Sequence, residues 1–365
     1  MKVLLSRKLI LLAALTASVP AFSNVSYTCD PSINASICTY LNTTVAGYYN
    51  NTFTNANATI YIQFASNGGL GESDSGVGAL VSYSTYQTQL EAESTDSAKT
   101  TVPATEPGLY SGGDVFLNNA LANAIGFSFP DGAAFLPTSS GGDAANGWVS
   151  STPCSNPGDG AVISSSSGCF NGVITLNDPA DLAAENDGNG YSFRGVAANT
   201  GTSGNTYDFF SVVEHESDEI LGTESCYYTT SAPSINDGCG GTNISTADLF
   251  RYSAANTRTI NTVGGTAYFS ADGGVTDLDG NMYDNQENGD DWADFSNVCE
   301  FVQDGIGCLD SQFDITTDGP GGTPGPEIAI LNAIGYNLQS ATPEPATFGL
   351  LCASFLTLGV MRYRR

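Results

Sequence analysis

The order of apolar and polar positions predicts short strands that are separated by long polar loops. The segment ATIYIQFA, residues 58–65, alternates and is rich in β-branched and aromatic side chains, which is typical of a strand. The segment CFNGVITLN, residues 169–177, is a second candidate strand, and residues 78–93 begin as a strand and continue as a helix. The chain also holds 42 glycines and long stretches rich in Ser, Thr and Asn, which favours many surface loops.

Three further segments have the spacing of helices. Residues 114–127 place apolar residues four apart, with Leu117 as the first of them. Residues 324–337 offer a proline for a first helical turn and a glycine that ends the helix. Residues 207–222, YDFFSVVEHESDEILG, combine an apolar face with acidic residues and also end in glycine. Strands mixed with a few helices predict an α+β fold (α/β-type), in one domain or two close lobes.

The first 23 residues have the parts of a secretory signal peptide. Lys2, Arg7 and Lys8 precede an apolar run over residues 9–19, and small residues offer a cleavage site after Ser23. The sequence therefore predicts an exported protein whose mature body begins at residue 24.

Residues 341–365 are interpreted as a targeting segment rather than as part of the folded domain. A Pro-Glu-Pro triplet at 343–345 precedes sixteen mostly apolar residues, 346–361, and three arginines follow. This run is slightly shorter than the about 20 residues of a spanning helix, and its basic end fits the positive-inside rule. The order resembles the PEP-CTERM sorting signal of bacterial surface proteins, which implies cleavage by an exosortase-type membrane protease and a transient membrane anchor. A permanent tail anchor is the alternative.

Charge is distributed unevenly between the ends and the body of the chain. The body, residues 24–342, keeps four basic residues against 37 acidic ones, a net charge of −33. Nucleic acids and anionic lipid surfaces bind through Lys and Arg, so the body is predicted to bind neither. Such an acidic surface favours solubility and attracts divalent cations.

Eight cysteines of the body occur as four close pairs. An even number of cysteines in an exported chain predicts disulfides, and local pairing is the simplest arrangement. A zinc-finger arrangement is the alternative, but none of the pairs has the short C-x₂₋₄-C spacing of such sites. The predicted pairs are Cys29/Cys38, Cys154/Cys169, Cys226/Cys239 and Cys299/Cys308.

The segment HESDE, residues 215–219, carries the only histidine of the chain. Residues four apart lie above one another on a helix, so His215 and Glu219 can converge on one ion. Zinc accepts an imidazole nitrogen and a carboxylate oxygen at similar distances, and Glu216 is placed to take a proton from a metal-bound water. The alternative is an ordinary acidic helix with a solvated face and an incidental histidine.

Several downstream segments occur together with this motif in one protein family. They resemble exported bacterial, often PEP-CTERM-tailed, metzincin-like proteins that are classed as zinc metalloproteases and carry H-E-x-x-E-x-(M/L)-G. The matching segments are HESDEILG (215–222), DLFRYSAANTR (248–258), YFSADGGVT (268–276), GDDW (289–292) and ILNAIGYN (330–337). The resemblance implies that Glu219 is a regular ligand position of the family. It also implies a metzincin-like domain over residues 24–340, single or split near residue 222, with a mixed twisted sheet, an active-site helix and a C-terminal helix.

A third metal ligand must come from another segment, because the chain has no second histidine. Asp248, which begins the second matching segment, is our candidate, and Asp272 and Asp291 are its rivals. Met282 is the only methionine of the body, and its surroundings do not resemble the methionine turn of metzincins. Residues 271–294 are dense in Asp, Asn and Gly and offer oxygen ligands for Ca²⁺, although an ordinary acidic loop has the same composition.

These observations lead to one expected function and two alternatives. The expected function is a secreted or surface-exposed zinc peptidase that cleaves proteins or peptides. In it His215, Glu219 and Asp248 hold zinc, and Glu216 is the general base. The first alternative is a catalytically silent, calcium-stabilised surface or matrix protein on the same scaffold. The second is a metal-dependent hydrolase that acts on another class of substrate.

Overall fold

The computed structural model describes residues 23–66, 68–75, 79–93, 114–127, 161–162, 169–194, 196, 205–226, 243–259, 267–278, 291–296, 299–319 and 322–339. Of Ala79, Ala161, Val162 and Cys169 it describes the backbone only. Several predicted features lie outside these residues: the signal peptide up to residue 22, the sorting tail with its membrane segment, Cys154, Cys239 and Met282.

Fourteen short strands form five small sheets within these residues. The strands are β1 Asn24–Cys29, β2 Asn57–Ala65, β3 Gly71–Ser75, β4 Ala79–Val81, β5 Val115–Leu117, β6 Ala161–Val162, β7 Cys169–Phe170, β8 Gly172–Asn177, β9 Gly190–Ser192, β10 Thr206–Asp208, β11 Ile244–Ser245, β12 Arg251–Ala254, β13 Thr257–Arg258 and β14 Tyr268–Phe269. The sheets have the orders β1-β2-β8-β3, β11-β5-β4, β13-β12-β14, β10-β9 and β6-β7.

Seven α-helices accompany the strands in the described part of the chain. They are α1 Ala35–Tyr40, α2 Ala46–Thr52, α3 Tyr83–Glu93, α4 Asn119–Ala124, α5 Pro179–Glu185, α6 Phe209–Asp218 and α7 Pro326–Ile334. A π-helical turn, Leu41–Val45, joins α1 to α2, and a second one, Glu219–Thr223, continues α6. The fold is therefore of mixed α and β type, which confirms the predicted α+β class at this level.

The four-stranded sheet carries the candidate site at its edge. β1, β2 and β8 run parallel, whereas β3 pairs with β8 in the antiparallel direction and forms the edge of the sheet. Every residue of β8 is buried, as expected of a strand that is covered on both faces. The polar sequence of β3, GESDS, is typical of a strand at the edge of a sheet.

Helix α6 packs against this sheet because one of its faces is apolar. Asp208 caps the helix by accepting a hydrogen bond from the Ser211 amide at 2.9 Å. Phe209 and Val213 are fully buried in the hydrophobic core. The π-helical turn that follows ends near Gly222, whose φ of +117° is a left-handed conformation that glycine adopts without a Cβ clash. Turns of this type inside helices are frequent at functional sites.

The C-terminal helix α7 packs beneath the π-helical turn of α6. Pro326 occupies the first turn of α7 and Gly335 ends it, as the sequence predicts. The Tyr336 hydroxyl donates a hydrogen bond to the Leu221 carbonyl at 2.8 Å, which fixes the end of α7 against the turn. One hydrophobic cluster includes residues from Val25 at the start of the body to Tyr336.

The predicted strands at β2, β4 and β8 and the predicted helices α3, α6 and α7 are present. The prediction of a helix that includes Leu117 is wrong. Leu117 ends strand β5, which pairs with β4 and β11, and helix α4 begins only at Asn119. The reason is Asn118, whose side chain accepts a hydrogen bond from the Leu121 amide and so caps the helix after the strand.

Two disulfides join side chains that the structure describes, Cys29–Cys38 and Cys299–Cys308, and both are predicted pairs. Cys226 is also disulfide-bonded, and its partner is not among the described side chains. Among the described helices, none is both long and apolar enough to cross a membrane.

Candidate metal centre

Helix α6 and its π-helical turn bring the two predicted ligands of the motif together. His215 lies in α6, and Glu219 is the first residue of the turn. The His215 Nε2 atom lies 3.7 Å from Glu219 Oε1, so the four-residue spacing aligns the two side chains. Both side chains are mostly buried, with exposed fractions of 16% and 13%.

Asp294 completes a group of three potential ligands. Its Oδ1 atom lies 3.6 Å from His215 Nε2, and its side chain is 5% exposed. One ligand atom from each of His215, Glu219 and Asp294 lies within 4.8 Å of the other two. This is the only such group of three or more among the described residues.

The spacing and surroundings of these three residues fit a zinc ion. A tetrahedral ion with ligands at 2.0–2.2 Å holds the ligand atoms about 3.3–3.6 Å apart, close to the two distances measured from His215. The second ring nitrogen of His215, Nδ1, lies 3.0 Å from the Val302 carbonyl, which favours the tautomer that leaves Nε2 available to a metal. Ser73 donates a hydrogen bond to Glu219 Oε2 at 2.6 Å, and Gln303 donates one to Asp294 Oδ1 at 3.0 Å. Each ligand therefore has an outer partner that orients it.

The electrostatics of the three residues also favour a cation between them. Burial alone would lower the pKa of His215, but Asp294, Glu219 and Glu216 raise that pKa well above its ordinary value. Burial opposes the ionisation of Glu219, yet the nearby His215 and the hydrogen bond from Ser73 hold its pKa below the usual range. A positive charge is therefore stabilised at this point, and a divalent ion can take the place of the imidazolium proton.

Glu216 lies beside the three ligands without belonging to their group. It is 6% exposed, and burial, together with the charge of Glu219, raises its pKa well above the ordinary value. Gly71 of β3 leaves room for it, because a Cβ at residue 71 would lie 2.5 Å from Glu216 Oε1 and 2.8 Å from a methyl of Val212. Because Gly71 has no side chain, the carboxyl group of Glu216 can lie against the edge strand β3.

A cleft of about 510 Å³ opens over His215, Glu216 and Glu219. One wall is the start of β3 with the residues before it, 68–73, and another consists of residues 301–302 and 304–308. The floor includes Val212 of α6, and no Lys or Arg occurs among the described residues that line the cleft. The three candidate ligands thus all line this cleft.

Asp248, the predicted third ligand, is not a member of the group of three. Its carboxylate accepts hydrogen bonds from the Ser225 hydroxyl at 2.6 Å and from the amides of Cys226 and Ser245 at 3.1 and 3.0 Å. These bonds tie together the chain after the π-helical turn and strand β11. These hydrogen bonds indicate a structural role for Asp248. The aspartate that lies beside His215 is Asp294.

The structure also shows the surroundings of the two rival candidates, Asp291 and Asp272. Asp291 lines the cleft, but its Oδ1 accepts hydrogen bonds from the amides of Ala293 and Ser225 at 2.6 and 3.1 Å. Asp272 caps its own turn by accepting bonds from the Thr276 hydroxyl and amide, which lowers its pKa to about 2. Within the suggested calcium segment only residues 271–278 and 291–294 are described, and Asp294 is the one among them that joins a group of potential ligands.

Sequence reasoning missed Asp294, Ser73 and Gln303. Asp294 lies two residues beyond the end of the matched segment GDDW, so an extension of that segment would have reached it. Ser73 and Gln303 have no sequence signal, because their contact with the ligands depends on the antiparallel edge strand and on a distant loop. A comparison with protein-family models, with curated proteins and with solved structures finds no match.

Proposed function

We propose that this chain is a zinc-dependent peptidase with a metzincin-like fold, and that His215, Glu219 and Asp294 hold the ion. The observation that carries the proposal is the convergence of these three ligand atoms within 4.8 Å, with Glu216 beside them at the base of a cleft. Asp294 takes the place that the sequence suggests for Asp248. The donor set of one imidazole and two carboxylates is one that zinc accepts.

Glu216 has the position of a general base. A zinc ion held by these three residues would supply Lewis acidity for the carbonyl of a peptide bond and would make water easier to deprotonate. The Glu216 carboxylate accepts the proton of the attacking water and returns it to the leaving amine. Burial and the charge of Glu219 raise the pKa of Glu216 above its ordinary value, which is the direction in which enzymes tune a carboxylate that acts as a general base. Gly71 leaves the space in which this carboxyl group moves.

The edge strand supports a peptide as the substrate. β3 is the outermost strand of its sheet, and its first residues form a wall of the cleft. An extended peptide can add to such an edge through main-chain hydrogen bonds, which positions a peptide bond along the groove. The edge strand beside the cleft is therefore the feature that supports a peptide as the substrate.

The arrangement of the elements supports the metzincin-like part of the proposal. The family resemblance implies a mixed sheet, an active-site helix and a C-terminal helix. The sheet β1-β2-β8-β3 with its antiparallel edge, helix α6 and helix α7 correspond to these three parts. We further propose that the chain is exported and anchored transiently by the C-terminal tail until an exosortase-type protease cleaves it.

Activity on an unfolded protein tests the proposal. Purified mature chain is incubated with casein or gelatin and zinc, then stripped with a chelator and reconstituted. We expect cleavage that is lost with the metal and restored by zinc. Absence of cleavage across a broad peptide library by zinc-loaded protein would contradict a peptidase and support a silent scaffold instead.

A further inference from the structure

The segment from Cys299 to Cys308 is closed by a disulfide and borders the candidate metal centre. We call it the 299–308 loop. Seven of its residues, 301–302 and 304–308, line the cleft. Its first residues are exposed, whereas residues 301–304 are buried against the ligands. The loop is therefore both a wall of the cleft and a part of the core beneath it.

Two neighbouring residues of this loop contact two of the three candidate ligands. The Val302 carbonyl lies 3.0 Å from Nδ1 of His215, and the Gln303 amide nitrogen donates a hydrogen bond to Asp294 at 3.0 Å. Gln303 is fully buried, so its orientation is set by packing and not by solvent. The dipeptide 302–303 thus orients one ligand through the backbone and another through a side chain.

The loop also pairs with the segment that carries Asp294. The Phe295 amide donates a hydrogen bond to the Gln303 carbonyl at 2.8 Å, and the Gly305 amide donates one to the Phe295 carbonyl at 3.2 Å. A displacement of the loop therefore moves Asp294 directly.

Three carboxylates hold the backbone of the loop in place. Within the loop, Asp304 accepts hydrogen bonds from the amides at positions 300 and 301, at 2.8 and 3.1 Å. From outside, Asp318 accepts the amide of Val302 at 3.0 Å, and Glu327 accepts the amide of Gln303 at 3.0 Å. Consecutive backbone amides of the dipeptide 302–303 are fixed in this way, but the exposed end at Cys299 depends on the disulfide.

We propose that the disulfide-closed 299–308 loop is the positioning element of the metal centre, and that Gln303 and the Cys299–Cys308 bond are required for tight zinc binding. The inference rests on the metal centre of the proposed function. Outer partners of metal ligands typically change metal affinity by about 10- to 100-fold when they are removed. Opening the disulfide frees the exposed end of the loop, and a shift that reaches the dipeptide affects both partners together, since Val302 and Gln303 lie on the same short segment.

The chain contains a matched control for this effect. The Cys29–Cys38 disulfide has the same sequence separation of 9 residues as the Cys299–Cys308 disulfide. It joins β1 to α1, and neither of its cysteines lines the cleft. The two bonds constrain equally long stretches of the unfolded chain, so general loss of a cross-link affects both alike.

The test measures zinc affinity by competition with a chromogenic chelator, using the full mature chain and folded samples checked by circular dichroism. We expect Cys299→Ser/Cys308→Ser to bind zinc about 10- to 100-fold more weakly than wild type, and Cys29→Ser/Cys38→Ser to bind it like wild type. Gln303→Met keeps the disulfide and the apolar volume but removes the donor to Asp294. We expect about a 10-fold loss of affinity for it.

The outcomes separate this inference from the proposed function. Wild type that binds no zinc overturns the metal centre and the positioning role with it. Wild type that binds zinc while both the 299/308 variant and Gln303→Met bind it equally tightly overturns the positioning role alone. Equal losses from the 299/308 and the 29/38 variants also overturn it, because the effect then comes from general destabilisation. Should the 299/308 variant fail to fold, the affinity of Gln303→Met decides.

Discussion

Two faces of helix α6 carry the same kinds of side chain in different surroundings. On one face, Glu214 accepts a hydrogen bond from the Ile315 amide at 3.1 Å and lies 3.8 Å from the Arg194 guanidinium. On the same side, Asp218 accepts a hydrogen bond from the Tyr49 hydroxyl at 2.8 Å. On the other face, His215 and Glu219 converge with an aspartate from a distant segment. We call these the inner face and the cleft face.

The difference between the faces lies in what balances the negative charge. Arg194 provides a positive charge near Glu214, and burial raises the pKa of both Glu214 and Asp218 well above ordinary values, so a proton can neutralise them. The described lining of the cleft offers no Lys or Arg. The carboxylates of the cleft face point instead at one imidazole nitrogen. Acidic residues of this helix thus have a structural role where a separate partner or proton neutralises each negative charge. They form a candidate metal centre where they converge on one point.

The largest expected contrast is between Glu216→Gln on the cleft face and Glu214→Gln on the inner face. Both replacements keep the size of the side chain and remove a carboxylate. We expect Glu216→Gln to lower kcat by about 10²–10⁴-fold, the usual contribution of a general base, while zinc content stays unchanged. Glu214→Gln should keep both kcat and zinc. The measurement is peptidase kinetics together with metal analysis, and equal losses from the two variants would contradict the separation of the faces.

A smaller effect is expected from Gly71→Ala, which tests the space above Glu216. The added methyl would lie 2.5 Å from Glu216 Oε1, so the carboxyl group must move. A displacement of about 1 Å costs on the order of 100-fold in rate, and we expect a loss of kcat of up to that size with zinc retained. Gly47→Ala is the control, since its Cβ would meet only Asn51 at 3.7 Å. Full activity of Gly71→Ala would show that the position of Glu216 does not matter.

The smallest effect concerns the inner face and its dependence on pH. A pKa raised by folding means that the folded chain binds more protons, so the contribution of Asp218 to stability is greatest below its unfolded pKa of about 3.9 and falls as pH rises. Asp218→Asn removes this titration and keeps an acceptor for Tyr49. We expect the variant to be more stable than wild type near pH 8, because the folded chain no longer has to hold a buried carboxyl group whose pKa is raised.

Denaturant unfolding at several pH values measures this difference. The advantage of Asp218→Asn should shrink as pH falls through about 4, because wild-type Asp218 then becomes protonated in the unfolded state as well. An advantage that does not change with pH, or a variant that is less stable near pH 8, would show that Asp218 stays ionised in the folded chain.

The sequence predicts the candidate ligands on helix α6 better than the aspartate that joins them from a distant segment. The spacing of His215 and Glu219 and the ending at Gly222 follow from helix geometry, because all three depend on local order. Asp294 lies 75 residues beyond Glu219 in an acidic stretch where composition does not distinguish one aspartate from the next. Its selection depends on how the 299–308 loop pairs with its segment. The sequence-based prediction selected Asp248 instead, which is equally acidic. In the folded chain, the carboxylate of Asp248 accepts hydrogen bonds from three neighbouring groups.

The alternative to a metal site, an ordinary acidic helix, expects Glu214, Glu216, Asp218 and Glu219 on a solvated face. The structure buries Glu214 and Asp218 completely, with 0% exposure each. Their partners, Tyr49 and Arg194, come from α2 and from the segment after β9, which no pattern in the helix itself indicates. Local periodicity therefore identifies which residues share a face, but tertiary contacts decide what each face does.

Zinc content of the purified mature chain, wild type against Asp294→Asn and Asp248→Asn, tests the central claim most directly. Each variant removes one negative charge and keeps the shape of the side chain. We predict about one zinc per wild-type chain, zinc retained by Asp248→Asn, and zinc lost from Asp294→Asn, because a neutral amide oxygen is a poor zinc ligand. Zinc-free wild type that was produced with zinc available, or loss of zinc from Asp248→Asn but not from Asp294→Asn, would contradict the account.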